Sequence, residues 1–232
     1  MTSDERRKPR GAETTSHLQI LQRRPVQKET PNTARGRRTR SALIEASRSL
    51  FEERGFRETR ISDIAERSNT SYGTFYHYFD SKEAVLNELF IGVAGEMFAA
   101  SRIRRDTPHD PLAKIEAANR QYFAAAKRNA GLLAVIEEMA LRDLHFRELK
   151  IQMRDLFIRR NEAEITKLQK SGVIDAGLNA RIAAAALGGM VENFMQMWFI
   201  HDVEFDEEDA LRTLTQLWAQ ALGVPVPSRA PA

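Results

Sequence analysis

The chain predicts an all-α fold of about nine helices, with an N-terminal three-helix unit built on a helix-turn-helix and a larger C-terminal helical domain. Three observations carry that reading. Residues 60–82, RISDIAERSNTSYGTFYHYFDSK, read as a short helix, a polar turn and a second short helix. From Ser81 onward apolar residues recur at helical spacing, with no convincing strand alternation. A length of 232 residues with 42% hydrophobic content suits one small plus one larger domain.

The expected organisation is a basic, disordered arm over residues 1–38, a helix-turn-helix domain over 39–85, a larger helical domain over 86–223, and a tail over 224–232. Residues 1–40 hold eleven Lys/Arg against four acids, +7, which leaves −4 for the rest of a chain whose net charge is +3. That distribution suits a DNA-binding head on a protein-facing body. Arg37, Arg38 and Arg40, just before the first helix, are placed to reach phosphates or the adjacent minor groove as a flexible arm.

The first helix is expected from about Thr39 to Arg54, with Leu43, Ser47 and Leu50 as its inward stripe and Gly55 as its left-handed stop. Ile61, Ile64 and Ala65 give the next helix its apolar face. Ser68, Asn69 and Thr70 break the period with turn-forming side chains, and Asn69 tolerates a left-handed backbone. Ser71 caps the third helix, in which Phe75 and Phe79 point inward while Tyr72, Gly73, Tyr76 and His77 lie on the opposite face. Those are the residues to aim into or beside a major groove. Ser81 caps a fourth helix whose first residue, Lys82, is expected to be exposed and to meet a phosphate.

That fourth helix should run to about Arg105 and end at DTPHDP, where Pro108 and Pro111 stop it. Further helices are expected at Leu112–Arg128, Leu132–Asp143, Leu144–Lys170 and Leu178–His201, and a last one capped by Asp206. The penultimate helix combines small residues, Ala183–Ala186, Gly188 and Gly189, with bulky Met190, Met195, Met197, Trp198 and Phe199. It is too apolar for one exposed helix, and its small residues permit close approach of another.

The run SYGTFYHYFDSK at 71–82, preceded by ISDIA at 61–65 and LFEERGF at 50–56, resembles the DNA-binding domain of the TetR family of bacterial transcriptional regulators. The resemblance covers about 55 residues, roughly Arg40 to Phe90. It implies that Tyr72 and Gly73 read bases, that Tyr76, His77 and Tyr78 contact phosphates, and that Lys82 anchors the DNA backbone. Thr70 and Ser71 join that surface at the start of the recognition helix. Four positions depart from the family pattern. Arg60 stands where the family usually has a Thr cap, so Thr59 is expected to cap and Arg60 to contact phosphate. Asn69 and Thr70 replace a common Gly and Val, and Tyr72 replaces a frequent Lys.

The same resemblance implies a homodimer through the two C-terminal helices, a palindromic double-stranded operator, and a small-molecule effector bound in the body. Met97, Phe98, Tyr122, Phe123, Met139, Phe146, Met153, Phe157, Met195 and Trp198 are available as apolar lining, with Asn119, Arg142, His145 and Asn193 as polar anchors. The apolar bias points to a lipophilic or acyl-type effector. Repression rather than activation is the common family mode. The competing reading is an all-α carrier of lipid-like molecules, which needs neither the basic N-terminus nor the motif turn.

An enzyme finds no support in the motifs: the five His residues form no HExxH repeat, and there is no GxSxG, P-loop or GxGxxG. With no Cys, thiol nucleophiles, disulfides and Cys-based zinc sites are excluded. No cofactor or metal is expected. Residues 1–30 lack an apolar leader core, and Ala183–Ile200 carries Glu192, Asn193 and Gln196, so the expectation is a cytoplasmic protein without a membrane span.

Overall fold

A computed structural model describes residues 31–101 and 110–226. Among the described residues there are nine α-helices and no strand. In chain order they are α1 (Ala34–Arg54), α2 (Ile61–Arg67), α3 (Tyr72–Tyr78), α4 (Lys82–Ala100), α5 (Pro111–Arg128), α6 (Ala130–Arg142), α7 (Leu144–Lys170), α8 (Ala180–Phe199) and α9 (Glu207–Ala221).

The helix ends follow from local chemistry. Side-chain oxygens of Thr33, Ser71, Ser81, Asp110, Asp143, Asn179 and Asp206 each accept a first-turn backbone N–H. Gly55, Gly172 and Gly223, at φ +82°, +74° and +71°, turn the chain where α1, α7 and α9 end. The expected end of α4 near Arg105 lies outside the described residues; the helix is described to Ala100.

The first helix starts earlier than the sequence reading placed it. Thr33 Oγ1 accepts from Gly36 N at 3.0 Å, so helix begins at Ala34 and takes in Arg35, Arg37, Arg38 and Arg40. Arginine is a good helix former, and Gly36 is tolerated because a side chain there has no room: a Cβ would lie 2.7 Å from Pro31 Cβ and 3.4 Å from the Tyr78 hydroxyl. The expected flexible arm is therefore helical from residue 34; residues 1–30 lie outside the described residues.

Leu43, Leu50 and Phe51 from α1, Ile64 from α2, Phe75 from α3 and Val85 and Leu86 from α4 close the core of the head, each at most 1% exposed. Helices as short as α2 and α3 are unstable alone in water; burying their apolar faces here is what holds them. The same apolar cluster continues along α4 into the body, through Phe90, Met97, Phe123, Leu132, Ile136 and Phe146. α1 packs on α6 as well as α4, α8 packs on α7 and α5, and α9 packs on α5. A second, smaller cluster of Ile165, Ile174, Ala184, Leu222 and Val224 seals the far end.

Candidate nucleic-acid interface

The turn between α2 and α3 is built from side-chain hydroxyls and one left-handed residue. Asn69 adopts φ +52°. Thr70 N donates to Ala65 O at 2.8 Å, and Ser68 Oγ donates to Ile64 O at 2.8 Å. Ser68 Oγ also meets Thr70 Oγ1 at 3.0 Å, which leaves Thr70 half-buried as a turn-former. Ser71 Oγ then accepts from Thr74 N at 3.1 Å and starts α3. The seven residues of α3 are divided cleanly: Phe75 is fully buried, Phe79 just beyond it is 4% exposed, and Tyr72, Gly73, Tyr76 and His77 are exposed together on the outer side.

Tyr78 is half-buried, its hydroxyl beside Gly36 at the start of α1 and its ring edge-on to His77 at 4.8 Å between centroids. This approach brings the start of α1 alongside α3 and keeps exposed Arg37 and Arg38 on the same unit as the tyrosines. Arg37 Nη1 donates to Asn32 O at 2.8 Å. Arg60 is exposed at the start of α2.

Three expectations need correction. Arg40 is turned inward: its guanidinium forms a two-pronged ion pair with Glu88 of α4 and lies 5.0 Å from the centre of the Phe79 ring, with 13% of the side chain exposed. Because α1 begins before it, Arg40 falls on the helix face that packs against α4. Lys82 is also engaged within the head. Its Nζ donates to the carbonyls of Phe56, Thr59 and Arg57 at 2.7, 3.0 and 3.3 Å and sits 4.4 Å over the Phe56 ring. An ammonium has three donors, and those three carbonyls take them all. Thr59 does not cap α2; its hydroxyl is buried, donating to Gly55 O at 2.8 Å. The cap comes from the other direction, with Asp63 Oδ2 accepting from Arg60 N at 3.2 Å.

The residues expected to meet an effector are dispersed. Met97, Phe98, Phe123, Met139, Phe146 and Met195 are packed into the main core. Tyr122, Met153, Phe157 and Trp198 are half-buried against it. They form an aromatic chain in the body, Phe98–Phe157 at 5.5 Å and Tyr122–Phe157 at 5.7 Å between centroids, with Phe123–Trp198 at 6.0 Å. Arg160 stacks 4.4 Å over Phe98 and donates to its carbonyl at 2.7 Å. Burial raises the Tyr122 hydroxyl above its ordinary range. The polar candidates do not converge. Asn119 Nδ2 donates to Thr215 Oγ1 at 3.2 Å, and His145 Nε2 meets Asn87 Oδ1 at 2.9 Å. Arg142 and Asn193 are exposed. A helical period alone does not tell which of several inward faces meets at one point.

Sequence reading missed one junction altogether. Asn129, between α5 and α6, is 1% exposed. Its Oδ1 accepts from Arg48 Nη2 of α1 at 3.0 Å, and its Nδ2 donates to Glu96 Oε2 of α4 at 3.0 Å and to Ala125 O at 2.8 Å. Arg128 closes the group by donating to Glu96 Oε1 at 2.6 Å. Hydrogen bonds from Arg128 and Asn129 hold the Glu96 carboxyl below its usual range. The group ties head to body.

A capped helix pair joined by a tight turn, with aromatic hydroxyls exposed on one face and exposed arginines on the same unit, defines a helix-turn-helix head on an all-helical body. The model of the family described as bacterial regulatory proteins, tetR family, matches residues 43–89. Over the head, from α1 into α4, the chain is thus similar to that family. It is 31% identical over 103 residues to the transcriptional repressor KstR2 of Mycobacterium tuberculosis, 44% of this chain and 52% of that protein. The chain thus matches about half the length of that relative. It is 25% identical over 169 residues to the fatty acid metabolism regulator protein of Bacillus subtilis, 71% of this chain and 85% of that protein. Among solved structures, the fatty acid degradation regulator FadR from Bacillus halodurans superposes with a TM-score of 0.64 at 20% identity, covering 82% of this chain and 96% of that one. These relatives are named as regulators of transcription or metabolism. No helix among the described residues is long and apolar enough to cross a membrane.

Proposed function

We infer that the chain is a ligand-responsive transcriptional repressor that binds a palindromic operator as a homodimer and is released by a small apolar effector. The observation that carries this reading is the α2–α3 unit: a helix pair capped at its N-termini by Asp63 and Ser71 on a buried core, with Tyr72, Gly73, Tyr76 and His77 exposed together and Arg37, Arg38 and Arg60 exposed on the same head. Pairing supplies what one seven-residue helix lacks. Two heads about 34–36 Å apart combine their binding energies on successive turns of duplex DNA. On the single chain, Ile182 of α8 is 67% exposed and Leu217 of α9 is 44% exposed, apolar surface that a second copy would cover.

The half-buried aromatics Tyr122, Phe157 and Trp198 support an effector site in the body, and the relatives named for fatty acid metabolism and degradation support a lipophilic or acyl-type ligand. An effector that prefers the DNA-incompetent arrangement about 100-fold shifts the equilibrium by roughly 2.7 kcal/mol, enough to empty a marginally occupied operator. The test is binding of the full chain to duplexes from its own upstream region, followed by titration with free fatty acids of increasing length. The expected result is salt-dependent binding by a dimer, weakened by a subset of the acids. Light scattering that shows a monomer at micromolar concentration, or absence of DNA binding at any salt, overturns the reading.

A further inference from the structure

The exposed face of α3 has no strong cation. Its residues, Tyr72–Tyr78, include neither Lys nor Arg, and His77 is the basic side chain among them. A guanidinium or ammonium is the commonest reader of guanine O6 and N7 in the major groove, and this helix has no such cationic donor. It offers a pair of phenol rings instead. Tyr72 is 56% exposed and Tyr76 39%. The rings meet edge to face, 5.1 Å between centroids and 66° between planes, and their hydroxyls are 3.3 Å apart.

That pairing is a consequence of the helix, because residues four apart lie one above the other. It is also tied to the core. Tyr76 packs edge-on against fully buried Phe75, with centroids 5.6 Å apart. Ring contacts therefore run from the head interior through Tyr76 to Tyr72. A lysine at position 72 would keep its rotamer freedom until it met DNA, whereas this phenol is held at its edge and at its hydroxyl before binding. Gly73 beside it adds no side chain, and the space is open: a Cβ there would have Ser71 Oγ at 3.8 Å as its neighbour.

Thymine's C5-methyl is the apolar feature of the major groove. We propose that Tyr72 and Tyr76 form one neutral reading unit, in which Tyr72 packs its ring on a thymine methyl in each half-site and Tyr76 positions that ring. This rests on the operator-binding reading above and adds the base chemistry to it. An uncharged contact releases no counterions, so thymine selection is insensitive to salt while overall affinity is not.

The experiment uses the full chain. Duplexes are first selected from a random pool, and each thymine of the selected site is then replaced in turn by deoxyuridine, which removes only the methyl group. One thymine per half-site is expected at which the replacement weakens wild-type binding about fourfold, the effect of one methyl-sized group leaving an apolar contact. In Tyr72→Ala the same replacement should change binding less than about twofold. Tyr76→Phe, which keeps the ring and loses the hydroxyl link, should retain binding with reduced methyl discrimination. Matching thermal melts establish that both variants are folded, and Tyr72 is exposed enough to be truncated without opening the core. A flat deoxyuridine profile on a well-selected site, or a methyl effect undiminished in Tyr72→Ala, overturns this inference alone. A pool that yields no preferred sequence overturns the operator-binding reading and this inference with it.

Discussion

The head and the body use the same helical alphabet to opposite ends. In the head, short helices are fixed at nearly every terminus, and the exposed face of α3 is set by a buried one directly behind it. In the body, long helices share a wide apolar interior in which Tyr122, Met153, Phe157 and Trp198 remain half-buried, and ion pairs such as Arg154–Glu192 and Arg120–Glu208 lie at its surface. A reading surface needs fixed side chains, and an effector site needs interior surface that can be repacked. The head thus fixes the exposed face of α3 from behind, while the body leaves large aromatic side chains half-buried at the edge of its core.

The sharpest way to break that contrast is at Lys82, whose ammonium holds the loop between α1 and α2 by three carbonyls. Lys82→Met keeps much of the stem over Phe56 and removes all three donors. Leaving two partly buried carbonyls unpaired is expected to destabilise the head by about 2–3 kcal/mol. Differential scanning calorimetry of the full chain should then show the head melting ahead of the body. At a temperature where both forms are folded, the salt slope of operator binding should be unchanged. A slope reduced by about one with an unshifted melt would make Lys82 a phosphate contact after all.

A smaller effect is expected at the joint between the two regions. Asn129→Ala removes the acceptor of Arg48 and a donor to Glu96 from a buried position, a loss of about 1–2 kcal/mol. If the group acts as one clasp, Arg48→Ala and Asn129→Ala are non-additive in a double-mutant cycle by roughly 1 kcal/mol. Strict additivity would show that head and body are joined by the packing of α1 and α4 against the body rather than by this clasp.

What was legible in the sequence divides along the same line. α7 was read to its observed bounds, Leu144–Lys170, because its stripe is uninterrupted and Gly172 follows it. The caps Ser71, Ser81 and Asp206 were readable because a side-chain oxygen must precede a helix that has four unpaired N–H groups. Asn69 in the left-handed region was readable for the same local reason. The partners of Arg40 and Lys82 were not. Both depend on a residue or loop more than twenty positions away, and an exposed phosphate contact and an internal tether use the same cation. The start of α1 was within reach, since Thr33 is a good cap, but a dense run of arginines with a glycine resembles a solvated tail until Gly36 is seen against Pro31 and Tyr78. Asn129 gave no local sign of its role, because its partners come from α1 and α4.

The weakest link predicted to respond lies on the outer surface of the head, where Arg67 of α2 forms a two-pronged pair with Glu53 of α1. Hydrogen bonds from Arg67 and then Ser49 hold the Glu53 carboxyl at about 2, well below its ordinary 4.5. A depressed carboxylate stabilises the fold at pH above about 4.5, and that contribution disappears as pH falls through about 2. The pair is open to water, so its worth is small and screened by salt. Glu53→Gln should therefore lower the melting temperature of the head slightly at pH 7 in low salt, and the gap from wild type should close on acidification and on adding 1 M salt. The comparison with the body is direct: the same mutation should leave the body transition in place at every pH. A gap that survives both acid and salt would mean that the α1–α2 contact is held by packing of the Arg67 stem rather than by charge.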